Sequence, residues 1–148
     1  MQKKTILVLT STFPRWNNDS TPRFVLDVCI GLHAQVNQIV LAPHHPNAKS
    51  REVLEKIQTY RFAYFIPKNL ERLCYGGGIL PNLKKSFLAK IQLPFFLLSQ
   101  YFTAKSIIKK QKIQGIHAHW ILPQGILGAL LKRKYKIPLL LTIHGSDL

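Results

Sequence analysis

Three histidines and a serine–aspartate pair are the residues whose types and spacing could support chemistry. His117 and His119 are two residues apart, which places both imidazoles on one face of a strand. His144 follows an apolar run and opens the motif His144-Gly145-Ser146-Asp147. Three imidazoles suggest a zinc site. A histidine, a serine and an aspartate are also the side chains of a hydrolase triad.

The spacing supports neither of these sites. The zinc hypothesis rests on the number of histidines alone, so we predict no metal or other cofactor, and we expect His119 to line a crevice and His117 to be hydrogen-bonded inside the sheet. Residues one and two positions apart in one loop cannot form a triad, and no GxSxG motif is present. Glycosidases need two carboxylates that flank the scissile bond. Only Asp19 and Asp147 fall where a crevice is expected, which makes a glycosidase a poor interpretation.

The beginning of the chain has the pattern of a βαβ unit. Residues 5–10 and 38–42 are short apolar runs rich in β-branched side chains, which is typical of buried parallel strands. Between them, Thr21 and Pro22 predict the N-cap and first turn of a helix. Apolar residues at helical spacing then run to Leu32.

The remaining elements predict a Rossmann-like α/β fold. Residues 114–119 and 138–144 are strands, and they flank a helix that begins near Pro123 and ends near Tyr135. In the middle we predict a short helix over 50–58, an edge strand over 59–66, a glycine loop at Gly76-Gly77-Gly78 and a helix over 83–111 that Pro94 kinks or divides. The whole chain is then an open, mostly parallel sheet with helices on both faces.

The ligand site should lie at one edge of this sheet. In open parallel sheets, ligands bind beyond the carboxyl ends of the strands, where helix N-termini also point. This rule selects the loops at 10–20, 43–46, 119–125 and 144–147. In addition to His144, the candidate binding residues in these loops are Ser11, Asn18, Asp19, His119, Gly125, Gly145 and Asp147.

Several of these motifs resemble glycosyltransferase family 4. The segment Ile116-His117-Ala118-His119-Trp120, then Pro123-Gln124-Gly125, then Thr142-Ile143-His144-Gly145-Ser146-Asp147 resembles the N-terminal, acceptor-side domain of that family in the GT-B fold. The segments Thr12-Phe13-Pro14-Arg15 and Tyr75-Gly76-Gly77-Gly78-Ile79 are also similar to it.

The resemblance implies a sugar transfer. Family members move a sugar from a nucleotide-sugar donor to a glycan, a lipid-linked molecule or a small molecule, with retention of configuration and usually without a metal. It implies that His144 is the catalytic histidine, which approaches the donor sugar, and that the loop at 12–20 faces the diphosphate and the acceptor. Many members carry a Gly-Gly pair in that loop, where this chain has Asn17-Asn18-Asp19. The sequence ends at Leu148, just past the His-Gly motif, so we expect residues 1–148 to be an incomplete N-terminal domain, without the donor domain and inactive alone.

Composition leaves one alternative class of function open. The 148 residues are 47% hydrophobic and carry a formal charge of +15, from 21 basic and 6 acidic residues. Such an excess attracts nucleic acid, an acidic membrane or a phosphorylated ligand. A basic nucleic-acid-binding module is therefore the alternative, although no zinc finger, RNP-like or helix-turn-helix motif supports it. A nonfunctional truncated product is a third possibility.

Charge and apolar segments also bear on location. Two cysteines without metal spacing, no signal peptide and no transmembrane run predict a cytoplasmic protein. Lysines and arginines cluster where two helices should end, which predicts a basic surface opposite the ligand crevice. Peripheral contact with the inner face of an anionic membrane is its functional interpretation, with the aromatic segment at 95–102 as the apolar contact.

Overall fold

A single sheet organises the chain, which a computed structural model describes over residues 2–145. Its strands are β1 (Lys4–Leu9), β2 (Val36–Pro43), β3 (Arg51–Leu54), β4 (Ile57–Phe62), β5 (Gly115–His119) and β6 (Leu139–Thr142). In the described part they lie in the order β3-β4-β2-β1-β5-β6, and every pair except β3–β4 is parallel. The predicted fold class, an open and mostly parallel Rossmann-like sheet, is confirmed.

Two apolar layers hold this sheet between helices. The helices are α1 (Phe24–Leu32), α2 (Ile79–Lys85), α3 (Phe87–Lys110) and α4 (Ile126–Tyr135), with a short 3₁₀ helix at Lys68–Leu70 and a π-helical turn at Ile121–Gly125. On one face, α1 packs Val25, Leu26 and Cys29 against Val8 and Val40. On the other face, α3 and α4 cover the alternate residues of the same strands, such as Leu7 and Leu41. Because side chains alternate along a strand, both faces of β1 and β2 are apolar, as the sequence predicted.

The segment at 50–62 is a hairpin, so the predicted helix at 50–58 is wrong. Leu54 pairs with Ile57, and the two residues between them, Glu55 and Lys56, have φ values of 46° and 73°. Such a turn matches the twist of the strands, but it is normally marked by Asn-Gly or Asp-Gly. β4 is also not an edge strand, because β3 covers its outer side.

Two helix boundaries also differ from the sequence prediction. Pro94 lies inside α3, and the helical segment is divided instead at Ser86, whose Oγ accepts a hydrogen bond from the Ala89 N–H at 3.3 Å. The first helix begins at Phe24 and not at Thr21, because Thr21 helps to hold Asp19 in the preceding loop. The loop therefore extends two residues further than the Thr-Pro signal indicated.

The basic ends of the helices lie where they were predicted. Lys109 and Lys110 close α3, and Lys132, Arg133 and Lys134 close α4. Each of these turns precedes the start of a strand, so the charges gather at the edge of the sheet opposite the carboxyl ends. Lys3, just before β1, lies at the same edge, and its Nζ atom donates a 2.9 Å hydrogen bond to the His33 carbonyl at the end of α1.

Candidate active site

A cavity of about 560 Å³ opens at the carboxyl ends of the strands. Its walls come from the loop after β1, the start of α1, the glycine loop with the start of α2, and the turn after β5. The lining residues are Ser11, Thr12, Arg15, Ser20, Thr21, Pro22, Phe24, Tyr75, Gly76, Gly77, Gly78, Ile79, Leu80, Pro81, Trp120 and Leu122. The cavity thus combines hydroxyl groups and an arginine on one side with apolar and glycine surface on the other.

An internal ion pair shapes the loop after β1. Asp19 accepts hydrogen bonds from the Arg15 guanidinium at 2.6 and 2.8 Å and from the Arg15 backbone N–H at 2.8 Å. These bonds hold the pKa of the Asp19 carboxyl well below its usual range and raise the pKa of Arg15. Asn18, beside them, has a φ of 62°, a conformation that asparagine tolerates better than most residues. The loop can therefore turn without the Gly-Gly pair that the resemblance led us to expect.

A buried arginine ties the two walls of the cavity together. The Arg61 side chain, which is fully buried, donates to the Pro14 carbonyl at 2.6 Å, to Glu52 at 3.0 Å and to the Tyr75 hydroxyl at 3.4 Å. Tyr75 in turn donates to the Pro43 carbonyl at 3.0 Å, and its burial raises the pKa of its hydroxyl. Arg61 thus fixes the loop after β1 and the start of the glycine loop to the same strand, β4.

The three histidines lie beside one another at the ends of β5 and β6. The register pairs His119 with Thr142, and the Nδ1 atom of His119 lies 3.1 Å from the Nε2 atom of His144. His117 is hydrogen-bonded inside the sheet, with its Nε2 atom 2.7 Å from the Thr142 hydroxyl. The His144 ring also lies against Phe24 and Trp120, with centroids 4.8 and 4.7 Å away. The His144 ring is therefore in contact with the buried His119 and with the rings of Phe24 and Trp120, which line the cavity.

His119 makes the stability of the fold depend on pH. Burial first, and then the neighbouring His117 and His144, lower the pKa of His119 from 6.5 to about 3. Between these values the unfolded chain binds a proton that the folded chain does not. The stability that His119 contributes should therefore be present in full above pH 6.5 and fall by about 1.4 kcal/mol per pH unit between pH 6.5 and pH 3.

The measurement is urea unfolding between pH 7 and pH 4. We expect His119→Gln to remove this part of the slope, while His33→Gln, which removes an imidazole at the end of α1, leaves it in place. Equal slopes in His119→Gln and the unchanged chain would refute the assignment.

The residues selected from the sequence have different surroundings. Ser11 lines the cavity, whereas Asp19 is held by Arg15 and His119 is fully buried. Gly125 is packed under Leu141, where an added Cβ would come within 3.2 Å of that side chain. Gly145 is exposed directly after His144, and Asp147 lies outside the described residues.

Several lining residues were not selected from the sequence. Arg15, Phe24 and the segment at 79–81 line the cavity. Arg15 lies in the loop at 10–20 that the sequence selected, whereas Phe24 begins α1 and residues 79–81 begin α2, so neither of these two directly follows a strand. Pro22 was the signal that could have identified Phe24, because it predicts that a helix begins nearby and the start of α1 lies at this edge of the sheet.

The histidine group does not form a metal centre. Over residues 2–145, no three His, Cys, Asp or Glu side chains are arranged to hold a metal ion. The imidazoles have hydrogen-bond partners within the fold, since His117 lies against the Thr142 hydroxyl and His119 and His144 lie against each other. The arrangement orients a single ring, that of His144, instead of converging on one point.

The sequence profile of the glycosyl transferase 4-like family matches residues 18–148, which is most of the chain. The chain belongs to this family. The match includes α1, the glycine loop, the turn after β5 and the His-Gly motif, while β1, Ser11 and Arg15 precede it.

Two individual proteins are similar to this chain, one in sequence and one in fold. An uncharacterized glycosyltransferase of Methanocaldococcus jannaschii is 50% identical over 95 residues, which are 64% of this chain and 26% of that protein. Sucrose-phosphate synthase from Thermosynechococcus elongatus matches 97% of this chain with a TM-score of 0.61 and 15% identity, a likeness of fold. The chain spans about a quarter of the first protein and a third of the second.

Proposed function

We propose that this chain forms the acceptor-side half of a retaining glycosyltransferase. In this reaction an acceptor hydroxyl forms a bond to the anomeric carbon of a nucleotide-sugar, the bond from that carbon to the diphosphate breaks, and the hydroxyl proton is released. The observation that carries the proposal is the position of His144, which is held between His119, Phe24 and Trp120 beside the cavity. Family membership supports the same chemistry.

The cavity walls suit an acceptor better than the donor diphosphate. Arg15 is the only cation among the described lining residues, and Asp19 already pairs with it. A diphosphate needs cationic or N–H partners that are not already engaged. We therefore propose that a second, donor-binding domain holds the nucleotide and that His144 faces the donor sugar. In this arrangement Ser11, Asn18 and Gly145 bind substrate from this side.

The acceptor is a glycan, a lipid-linked molecule or a small molecule. The apolar side of the cavity, formed by Leu80, Pro81 and Leu122, suits a carrier group or a sugar face. Peripheral contact with an anionic membrane belongs to the proposal, since a lipid-linked acceptor lies there. Buried free thiols at Cys29 and Cys74 fit the cytoplasmic location that we propose for the reaction.

The test is a transfer assay with a protein that contains this chain and a donor-binding domain. Radiolabelled nucleotide-sugars are offered with pooled glycans, lipid extracts or small sugars as acceptors, and the anomeric configuration of the product is read by NMR. We expect transfer with retention to one of these acceptor classes. An inverted product would refute the retaining mechanism, and no transfer to any class would refute the proposed function.

The chain by itself should bind the donor weakly. One wall of a site neither excludes water nor fixes the donor beside the acceptor, so we expect no nucleotide-sugar dissociation constant below about 1 mM. Titration calorimetry of residues 1–148 measures this. Micromolar binding would show that this chain holds the nucleotide and would contradict the division of roles.

A further inference from the structure

An apolar stripe covers the outward side of α3. Phe87, Ile91, Phe95, Leu98 and Phe102 are spaced by four, four, three and four residues, which places them on one face of the helix. Their exposed fractions are 78%, 42%, 49%, 56% and 57%. The stripe extends over about 22 Å of helix length. We call these five residues the α3 stripe.

The stripe is separate from the side of α3 that binds the sheet. Ala89, Gln92, Phe96, Gln100 and Ala104 form the buried side of the helix. α3 is therefore apolar on two sides, and the core accounts for one of them. A surface helix with one buried side normally carries charged or polar residues on the other.

Neighbouring residues enlarge the apolar surface. The loop before the 3₁₀ helix presents Ile66, which is 88% exposed, and a groove of about 470 Å³ runs between this loop and α3. Ser99 fixes the loop to the helix through a 2.6 Å hydrogen bond to the Ala63 carbonyl. The stripe and the loop thus form one continuous surface.

Lysines surround this surface without acidic partners. Lys84, Lys85 and Lys90 are exposed near the start of the stripe, and Lys109 is exposed beyond its end. The Lys105 ammonium lies 5.8 Å from the centre of the Phe102 ring. Across residues 2–145, each carboxylate pairs with an arginine or a histidine, and no lysine takes part in an ion pair. The surface therefore offers apolar contact and unneutralised positive charge together.

We propose that the α3 stripe docks on an anionic lipid bilayer. Apolar side chains enter the boundary between headgroups and acyl chains, while lysines at the rim reach the lipid phosphates. Charge selects this partner over a second copy of the chain, because two such faces would bring their lysines together. This inference rests on the membrane contact of the proposed function and names the surface that makes it.

This geometry leaves the cavity accessible from the membrane side. α2, which connects to the start of the stripe, contributes Ile79, Leu80 and Pro81 to the cavity wall. Leu80 is 58% exposed. A bilayer along α3 therefore approaches the apolar wall of the cavity, whereas the basic helix ends at Lys132 and Lys134 would turn the cavity away.

Vesicle co-sedimentation of the chain tests the proposal. The probes are vesicles of phosphatidylcholine alone and with about 30% phosphatidylglycerol, at about 0.1 M and about 0.5 M salt. We expect binding to the anionic vesicles that weakens at high salt. Leu98→Gln/Phe102→Gln should reduce the partition coefficient at least about tenfold, since both side chains lose their apolar contact.

Matched variants separate the stripe from other surfaces. Val53→Gln/Leu130→Gln removes two apolar side chains that are 70% and 51% exposed elsewhere, and it should bind as the unchanged chain does. Lys132→Gln/Lys134→Gln tests the basic helix ends and should weaken binding less than Lys90→Gln/Lys105→Gln. Circular dichroism checks that each variant folds.

The opposite results would overturn the proposal. The proposal fails if the chain does not bind anionic vesicles or if Leu98→Gln/Phe102→Gln binds them as well as the unchanged chain does. It also fails if Lys132→Gln/Lys134→Gln weakens binding more than the change of the lysines beside the stripe. Sedimentation velocity without lipid addresses the competing partner. A dimer that Leu98→Gln/Phe102→Gln dissociates would assign the stripe to a second copy. Because no sugar transfer is measured, this proposal and the proposed function fail separately.

Discussion

Arg61→Met should lower the free energy of unfolding by about 3 kcal/mol, the low end of the cost of breaking a buried ion pair from one side. The guanidinium is fully buried and donates to Pro14, Glu52 and Tyr75, so methionine keeps the apolar stem but leaves three acceptors without this donor. Glu52 is 14% exposed and recovers some hydration, which places the cost at the low end. Urea denaturation measures the change.

Arg23→Met provides the matched control. Arg23 is also ion-paired, with both Asp27 and Glu55, but its side chain is 49% exposed. Exposed pairs contribute little because water solvates both partners after the change. Arg23→Met should therefore leave stability nearly unchanged. Equal losses in the two variants would show that burial does not set the strength of the Arg61 contacts.

His144→Ala should reduce turnover about a hundredfold in an active glycosyltransferase that contains this chain. The imidazole is oriented by His119 and by the rings of Phe24 and Trp120, so the contact with the donor sugar that we propose for it would be pre-organised before the reaction. Removing one pre-organised contact of this kind typically costs a factor of about 10²–10³ in kcat. The measurement is kcat under saturating donor and acceptor.

The variant must lose activity without losing the fold. His144 is half-buried at the end of β6, so alanine leaves both core layers intact, and the urea midpoint should stay close to that of the unchanged enzyme. His33→Gln, at the end of α1, should retain full activity. Unchanged turnover in His144→Ala would remove this histidine from the proposed mechanism.

Local patterns were sufficient for the regular parts of the fold. Continuous apolar runs identified β1 and β2 as buried parallel strands, because a strand that is covered on both faces cannot alternate with polar residues. The segments at 114–119 and 138–144 were also predicted as strands, and they contain β5 and β6. The hairpin at 51–62 was missed because polar residues interrupt the apolar pattern of β3 and β4, and because Glu55-Lys56 is not a typical turn sequence. Their pairing follows from contacts that the segment makes only in the sheet.

The sequence by itself determined the fold class, the edge of the sheet at which the cavity opens and the family motifs around His144. The fold class and the edge follow from side-chain periodicity and from the alternation of strands and helices along the chain, which are local properties. The motifs around His144 were identified by their resemblance to glycosyltransferase family 4. Only the tertiary structure decided that Asp19 neutralises Arg15, that Arg61 joins two walls of the cavity, and that α3 is apolar on its outward side. Each depends on which residues meet across the fold, or on which side of a helix the core covers, and local spacing does not contain that information.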